Sequence, residues 1–242
     1  MRLGLIGKKL GHSFSKKYFE EKFQRENLKG HSFDLFELPS LDLFREWVFD
    51  QKIDGLSVTI PYKEEVIPFL DSLSDDAQKI GAVNCIAVKN GQLIGYNTDA
   101  FGFKSSIRPF IENKFERALI LGTGGASKAI FHVLNKWNIP CWFVTRDVKN
   151  DHHIPWNALS AEAMVHFKLI INCTPLGTFP EVDEFPPLPY AAIGADHFLY
   201  DLVYNPAKSA FLTKGEANGA QIMNGLPMLQ LQAERAWEIW NS

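Results

Sequence analysis

The sequence predicts an α/β protein with open, mainly parallel sheets, divided into two domains in the helix near residues 98–110. Three observations carry this reading. Residues 2–60 alternate strand and helix patterns as β-α-β-α-β, which favours a parallel sheet because parallel neighbours need a crossover between them. Residues 117–144 read as a buried strand, a glycine-rich turn, a helix and a second buried strand. The chain of 242 residues is long enough for one large core or two smaller ones.

The elements follow in order. Arg2–Gly7 is a short apolar strand ending at a glycine, and Gly11-His12-Ser13-Phe14-Ser15 leads into a helical pattern of Tyr18, Phe19 and Phe23. Ser13 or Ser15 is the expected N-cap. Two hydroxyls at a helix N-terminus also suit a carboxylate or phosphate. A second strand covers Phe33–Leu38 and a helix Leu41–Phe49. Leu56, Val58 and Ile60 then alternate with Ser57 and Thr59, and Pro61 ends the ladder. Tyr62, Val66, Phe69 and Leu70 continue at helical spacing, so Lys63 is expected in the first turn of a helix, at the pole that prefers an acid. A lone lysine is ordinarily solvated surface. At this pole it is either fully exposed or has a task.

Residues 71–79 are polar and helical in pattern. Two apolar runs flank Asn90-Gly91, a strong hairpin signal. Asn84 falls within the first run, where a buried amide needs a partner in the protein or a ligand. The second run enters Asn97-Thr98-Asp99, any of which could cap the next helix. Further strands are expected at 167–173, 199–204 and 220–223, helices at 210–217 and 226–240, and an unpacked proline-rich loop at 180–189.

The strand at 117–122 opens into Gly122-Thr123-Gly124-Gly125-Ala126-Ser127, and the helix that follows carries Ala129, Ile130, Val133 and Leu134 on one face. This is the layout of a dinucleotide-binding unit, whose glycines allow a tight turn and close backbone approach to a pyrophosphate at the helix N-terminus. Ser127 occupies the third fingerprint position, so the loop is a variant. The end of the next strand decides the cofactor, since an acid there accepts from a ribose 2′-hydroxyl and a base meets a 2′-phosphate. The residues are Thr145-Arg146-Asp147, with Lys149 beyond. Arg146 and Lys149 favour the phosphorylated cofactor, and Asp147 favours the other.

Bulk properties exclude several classes. A formal charge of −3 leaves no general attraction to nucleic acid or anionic membrane. No apolar run approaches the roughly 18 residues of a membrane span, and the first residues turn polar too quickly for a signal peptide. Cys85, Cys141 and Cys173 form no C-x-x-C pair and lie in apolar runs, so free buried thiols are expected rather than disulfides or a metal site. A cytoplasmic location follows as the default.

Eight stretches occur together in one order: GHSFS at 11–15, SVTIPYK at 57–63, GAVN at 81–84, YNTD at 96–99, GTGGAS at 122–127, NCTPLG at 172–177, YDLVYNP at 200–206 and NGLPMLQLQAERAW at 224–237. In this the chain resembles the shikimate dehydrogenase family over nearly its whole length. The resemblance implies reduction of 3-dehydroshikimate to shikimate with NADPH, in aromatic amino-acid biosynthesis. It implies a substrate domain of residues 1–100 and 225–242, with the C-terminal helix returning to it, and a Rossmann NADP-binding domain of residues 101–224. Ser13 and Ser15 would hold the substrate carboxylate. Thr59, Asn84, Tyr204 and Gln232 would line the substrate site, and Lys63 and Asp99 would form the catalytic pair. Gly122, Thr123, Gly124, Gly125 and Ala126 would cradle the pyrophosphate, Thr145, Arg146 and Lys149 would surround the adenine ribose, and Leu202 and Gly225 would lie near the nicotinamide. Asp75 matches a position on the cofactor side. No metal is implied, and the enzyme would be a monomer or homodimer.

The chemistry agrees with this assignment. Ketone reduction needs a proton, or a positive charge, at the developing alkoxide. Lys63 can supply either, with Asp99 orienting it. Some positions depart from the family pattern: Ser57 where Asn is common, Lys8-Lys9 where Asn-Pro is frequent, Thr178 where Met is usual, and Asp147 where Thr often follows the cofactor arginine. Asp147 keeps open a quinate/shikimate dehydrogenase that uses NAD. A rival of another class is a non-catalytic sensor of cyclitol acids, but that would lose the lysine–aspartate pair and gain an effector segment. A folate-linked dehydrogenase of similar plan would not need Ser13, Ser15 and Gln232.

Overall fold

Residues 1–11, 13–111 and 115–242 are described in a computed structural model. His12 of the GHSFS motif lies outside them. Two compact units result, one formed by Met1–Thr98 with Gln232–Ser242, the other by Asp99–Leu231.

The chain of the first unit runs β1 (Arg2–Gly7), α1 (Phe14–Arg25), β2 (Ser32–Glu37), α2 (Phe44–Asp50), β3 (Gly55–Val58), α3 (Tyr62–Glu65), β4 (Ser72–Leu73), α4 (Asp75–Ile80), β5 (Cys85–Lys89) and β6 (Gln92–Tyr96). The sheet order is β2-β1-β3-β5-β6-β4. β1 is parallel to β2 and β3, whereas β5 is antiparallel to both β3 and β6. The hairpin forms where the sequence places it, with Asn90 at φ 52° and Gly91 at φ 75°, the positive pair that a two-residue turn between twisted strands requires.

Both faces of this sheet are covered, and the strand residues alternate between them. Ile6, Leu56, Val58, Ile86 and Leu93 pack with Phe44, Val48, Tyr62 and Val66 on one side. Leu3, Leu5, Cys85 and Ala87 pack on the other with Phe19 and Phe23 of α1 and with Ala233, Ala236, Ile239 and Trp240 near the C-terminus. Trp240 occupies the space that Gly55 leaves. A Cβ at Gly55 would come within 2.4 Å of the indole, and the indole Nε1 donates to Ile86 O at 2.9 Å.

The second unit runs α5 (Asp99–Ile111), β7 (Ala118–Leu121), α6 (Gly125–Lys136), β8 (Cys141–Thr145), β9 (His153–Pro155), α7 (Ala161–Met164), β10 (Leu169–Asn172), β11 (Phe198–Asp201), α8 (Ala210–Ala217), β12 (Gln221–Met223) and the first residues of α9 (Leu226–Trp240). Its sheet is parallel throughout, in the order β12-β11-β10-β7-β8-β9. All four residues of β7, β10 and β11 are buried, as expected of strands covered on both faces. Among the described residues no helix is long and apolar enough to cross a membrane, and no group of three or more His, Cys, Asp or Glu could hold a metal.

The structure corrects several local expectations. β3 stops at Val58, and Ile60 is 75% exposed instead of inward, because the chain turns at Thr59–Pro61, where Ile60–Pro61 is cis. Pro61 is the N-cap, and α3 is a single turn continued by a 3₁₀ turn at Ile67–Phe69. One turn has no well-separated poles, so the dipole argument for Lys63 loses its force. Asn84 sits one residue before β5. Gly81 is the left-handed C-cap of α4, φ 69°. The proline-rich loop is anchored, with Leu188 buried and Tyr190 Oη donating to Pro186 O at 2.9 Å. The elements β4, β9 and α7 span two to four residues each, too few for a periodic signature.

Candidate active site

The candidate residues of the first unit gather at the C-terminal ends of β1 and β3 and around the start of α1. Ser13 is the N-cap of α1, accepting from Lys16 N at 3.4 Å. Ser15 lies inside the first turn and makes no cap. Both are half-buried. Thr59 is tied by its backbone, donating to Ile6 O at 3.0 Å and accepting from Tyr62 N at 2.9 Å. Val83 N donates to Lys63 O at 2.7 Å, which fixes the backbone of Lys63 whatever its side chain does.

Asn84 is buried and held from both sides. Val58 N donates to its carbonyl at 2.8 Å, and its own N–H donates to Tyr96 O at 3.1 Å. Thr98 N donates to Asn84 Oδ1 at 2.6 Å, so the amide nitrogen must face the other way. Nδ2 donates to Thr98 Oγ1 at 3.0 Å and to Gln232 Oε1 at 3.3 Å. Thr98 Oγ1 has one proton to give and two acceptors in reach, Gln232 Oε1 at 3.1 Å and Asn84 Oδ1 at 3.2 Å, so it is the donation from Asn84 Nδ2 that presents an N–H to Gln232 Oε1. The orientation of Gln232 is therefore set in turn. Its Oε1 is fully engaged, and its Nε2 has no partner among the described residues. A fixed amide donor of this kind suits a ligand hydroxyl or carbonyl.

Gln232 is held in place by its helix. Two residues on, Glu234 accepts from Tyr18 Oη and from Lys22 Nζ, the latter at 2.9 Å. Lys22 is 5% exposed and also reaches Glu26 at 2.9 Å. Its charge is thus paired twice, the condition under which a buried ammonium is tolerated.

In the second unit Asp99 is the first residue of α5 and is 6% exposed. Tyr204 lies just beyond β11, half-buried, and burial raises its pKa. The glycine loop leaves β7 through Gly122 at φ 99°, and Gly124 is the N-cap of the twelve-residue α6. A Cβ at Gly124 would meet no protein atom within 4 Å, and its φ of −74° suits any residue. The protein itself does not require a glycine there. A phosphate group approaching the backbone would, so the loop and α6 fit a dinucleotide pyrophosphate. Ser127 is wholly buried, so this short residue stands in for the third glycine against the sheet.

Thr145 ends β8, is buried, and accepts from Asp147 N at 3.1 Å. Asp147 and Lys149 pair at 3.0 Å. Arg146 is exposed and has no acidic partner among the described residues. Leu202 and Gly225 are brought together: Gly225 N donates to Val203 O at 3.1 Å, and a Cβ at Gly225 would lie 2.2 Å from Leu202 O. Only glycine fits there.

Two features were not singled out from the sequence. Thr98 orients Asn84 and Gln232, a role visible only once residues 14 and 134 positions away are adjacent. Asp201, in the YDLVYNP stretch, is fully buried at the end of β11 and accepts from Asn172 Nδ2 at 2.9 Å, Val203 N at 3.0 Å and the Ser209 hydroxyl. Burial outweighs these bonds and raises its pKa from 3.8 to about 6. The folded state therefore holds this proton more tightly than the unfolded chain. Its contribution to stability is complete below about pH 4 and is lost as pH rises through 6, by roughly 3 kcal/mol. Asp201→Asn should accordingly be better tolerated at pH 7 than at pH 4.5 by about 2 kcal/mol or more. Urea unfolding at the two pH values checks this, and an equal effect at both would refute it. The thiols offer no nucleophile, since burial pushes Cys141 and Cys173 up to about 12 and Cys85 higher still.

These features define the class: a two-unit α/β protein in which one unit carries a dinucleotide-type glycine loop and the other an oriented set of amide and hydroxyl groups. The family model described as the shikimate dehydrogenase substrate binding domain matches residues 5–86. The shikimate dehydrogenase (NADP(+)) of Clostridium beijerinckii is 37% identical over 246 residues, covering 98% of this chain and 90% of that protein. The crystal structure of shikimate dehydrogenase 1 from Peptoclostridium difficile aligns with a TM-score of 0.85 at 34% identity, over 99% of this chain and 91% of that one. The shikimate 5-dehydrogenase of Thermus thermophilus, in complex with NADP(H) and shikimate, aligns with a TM-score of 0.85 at 29% identity, over 99% and 93%. The chain belongs to the shikimate dehydrogenase family.

Proposed function

We propose that the protein catalyses the reversible, NADP-dependent reduction of 3-dehydroshikimate to shikimate, in the cytoplasm, where its three free thiols stay reduced. The observation that carries this is a match along 98% of the chain to a relative named for that reaction, with Lys63, Asp99 and the oriented Gln232 all present. The substrate domain is residues 1–100 and 225–242, and the Rossmann domain is residues 101–224.

Ser13 and Ser15 bind the substrate carboxylate at the start of α1, using hydroxyls and backbone N–H groups. Gln232 donates from Nε2 to a ring oxygen, and Thr59, Asn84 and Tyr204 complete the polar lining. Bound NADPH supplies the hydride. Lys63 gives a proton, or sets its positive charge, against the carbonyl oxygen as that oxygen becomes an alkoxide. Asp99 orients the ammonium. Arg146 meets the 2′-phosphate, and Gly124 lets the pyrophosphate approach the backbone.

The direct test is reduction of NADP⁺ or NAD⁺ by shikimate or by quinate with purified protein. Turnover of shikimate with NADP⁺ alone is the expected result, and preferred turnover of quinate with NAD⁺ would overturn it. Gly124→Ala gives a second check. Because its Cβ would meet nothing in the protein, the melting temperature should fall by no more than a few degrees, the entropic gain of Gly→Ala being offset by the poorer N-cap. NADP⁺ affinity should fall by at least about tenfold, a cost of about 1.4 kcal/mol for the blocked approach. Unchanged affinity would remove Gly124 from the cofactor site.

A further inference from the structure

The turn after β8 contains a self-contained charge arrangement. Thr145 Oγ1 accepts from Asp147 N at 3.1 Å. His153, the first residue of β9, accepts from Lys149 N at 3.2 Å through Nδ1, and the same nitrogen lies 3.3 Å from Asp147 O. The His153 ring packs edge-on against Phe143 of β8, centroids 5.6 Å apart, and β8 and β9 pair in register at Phe143 and His153. His153 N donates to Asn150 O at 3.0 Å and His152 N to Asn150 Oδ1 at 3.0 Å. Asp147 is thus held by its N–H on Thr145 Oγ1 and Lys149 by its N–H on His153 Nδ1, which as an acceptor has no proton for Asp147 O. Their side chains meet at 3.0 Å, while Arg146 has no acidic partner among the described residues.

Resting on the dehydrogenase reading above, we propose that Lys149 is a specificity-determining residue that acts through Asp147. The carboxylate at this strand end is the group that would accept from the 2′-hydroxyl of an unphosphorylated dinucleotide. Lys149 occupies it. An acid that would select NAD is neutralised inside the turn, and Arg146 remains the charge available to a 2′-phosphate. Lys149 then favours the phosphorylated cofactor in two ways: it adds positive potential, and it withdraws a hydrogen-bond acceptor from the competing one. The second contribution is modest, because both side chains are about 70% exposed. Exposed pairs of this kind shift an equilibrium by up to about fivefold.

The test is a double-mutant cycle read by calorimetric binding of NAD⁺ and NADP⁺ to the wild type, Lys149→Ala, Asp147→Asn and the double variant. Both substitutions lie on an exposed turn, so all three variants should fold. Lys149→Ala is expected to weaken NADP⁺ binding and to tighten NAD⁺ binding by about threefold to fivefold. In the Asp147→Asn background the same substitution should give no tightening. An NAD⁺ affinity unmoved by Lys149→Ala, or changed equally in both backgrounds, would overturn the proposal and leave Lys149 as a simple phosphate contact. A wild type that binds neither dinucleotide would instead overturn the dehydrogenase reading itself.

Discussion

Lys63→Ala is expected to lower kcat for shikimate oxidation by about 10²–10⁴-fold, the usual worth of a positioned general acid or base. The fold should survive, because Val83 N bonds to the backbone carbonyl of residue 63 and the side chain is only half-buried. The melting temperature is therefore expected to hold while turnover disappears. Lys63→Arg separates the two roles open to the lysine. A guanidinium keeps the positive charge but cannot release a proton in the working pH range. If Lys63 transfers the proton, the arginine variant is as inactive as alanine. If it only opposes the oxyanion charge, the arginine variant recovers a large part of kcat. Steady-state kinetics and a thermal melt on the same preparations decide this. A Lys63→Ala enzyme within threefold of wild type would remove the residue from the mechanism.

Trp240→Ala carries the largest expected stability loss, about 3–5 kcal/mol. The indole is 5% exposed, fills the space over Gly55, and lies 5.4 Å from the Phe19 ring and 6.3 Å from the Phe33 ring. Its removal leaves a cavity against Gly55 and removes the hydrogen bond from the indole to Ile86 O. Because Gly55 contributes no side chain, the cavity cannot close by a small rotation nearby. Trp240→Phe should recover part of the loss but not the hydrogen bond. Urea unfolding checks both variants, and a loss below about 1 kcal/mol for alanine would mean that the site collapses more easily than its geometry suggests.

The legible parts of this chain share a cause. β7 and the residues of α6 were readable because four buried positions in a row and an apolar helical face are local signals. The hairpin was readable because only a few residues tolerate two successive positive φ values. The SVTIPYK stretch is deceptive in detail, since alternation continues through Ile60 although the chain has already turned at Thr59. The donor role of Gln232 was not legible at all. It depends on Thr98 fixing Asn84 and Asn84 fixing Gln232, relations between residues 14 and 148 positions apart. The Asp147–Lys149 pair had the opposite problem. Both residues were in view, but sequence gave them opposing votes on the cofactor, and only their 3.0 Å separation suggests that one cancels the other.

The return of the last residues to the first unit has a consequence during synthesis. The second unit is one uninterrupted segment, Asp99–Leu231, so every strand of its sheet has been made before the residues around Trp240 exist. The first unit begins earlier but lacks Ala233, Ala236, Ile239 and Trp240 on one face of its sheet. The segment made first therefore cannot complete its core until the last residues are available, and until then Phe19 and Phe33 stay uncovered.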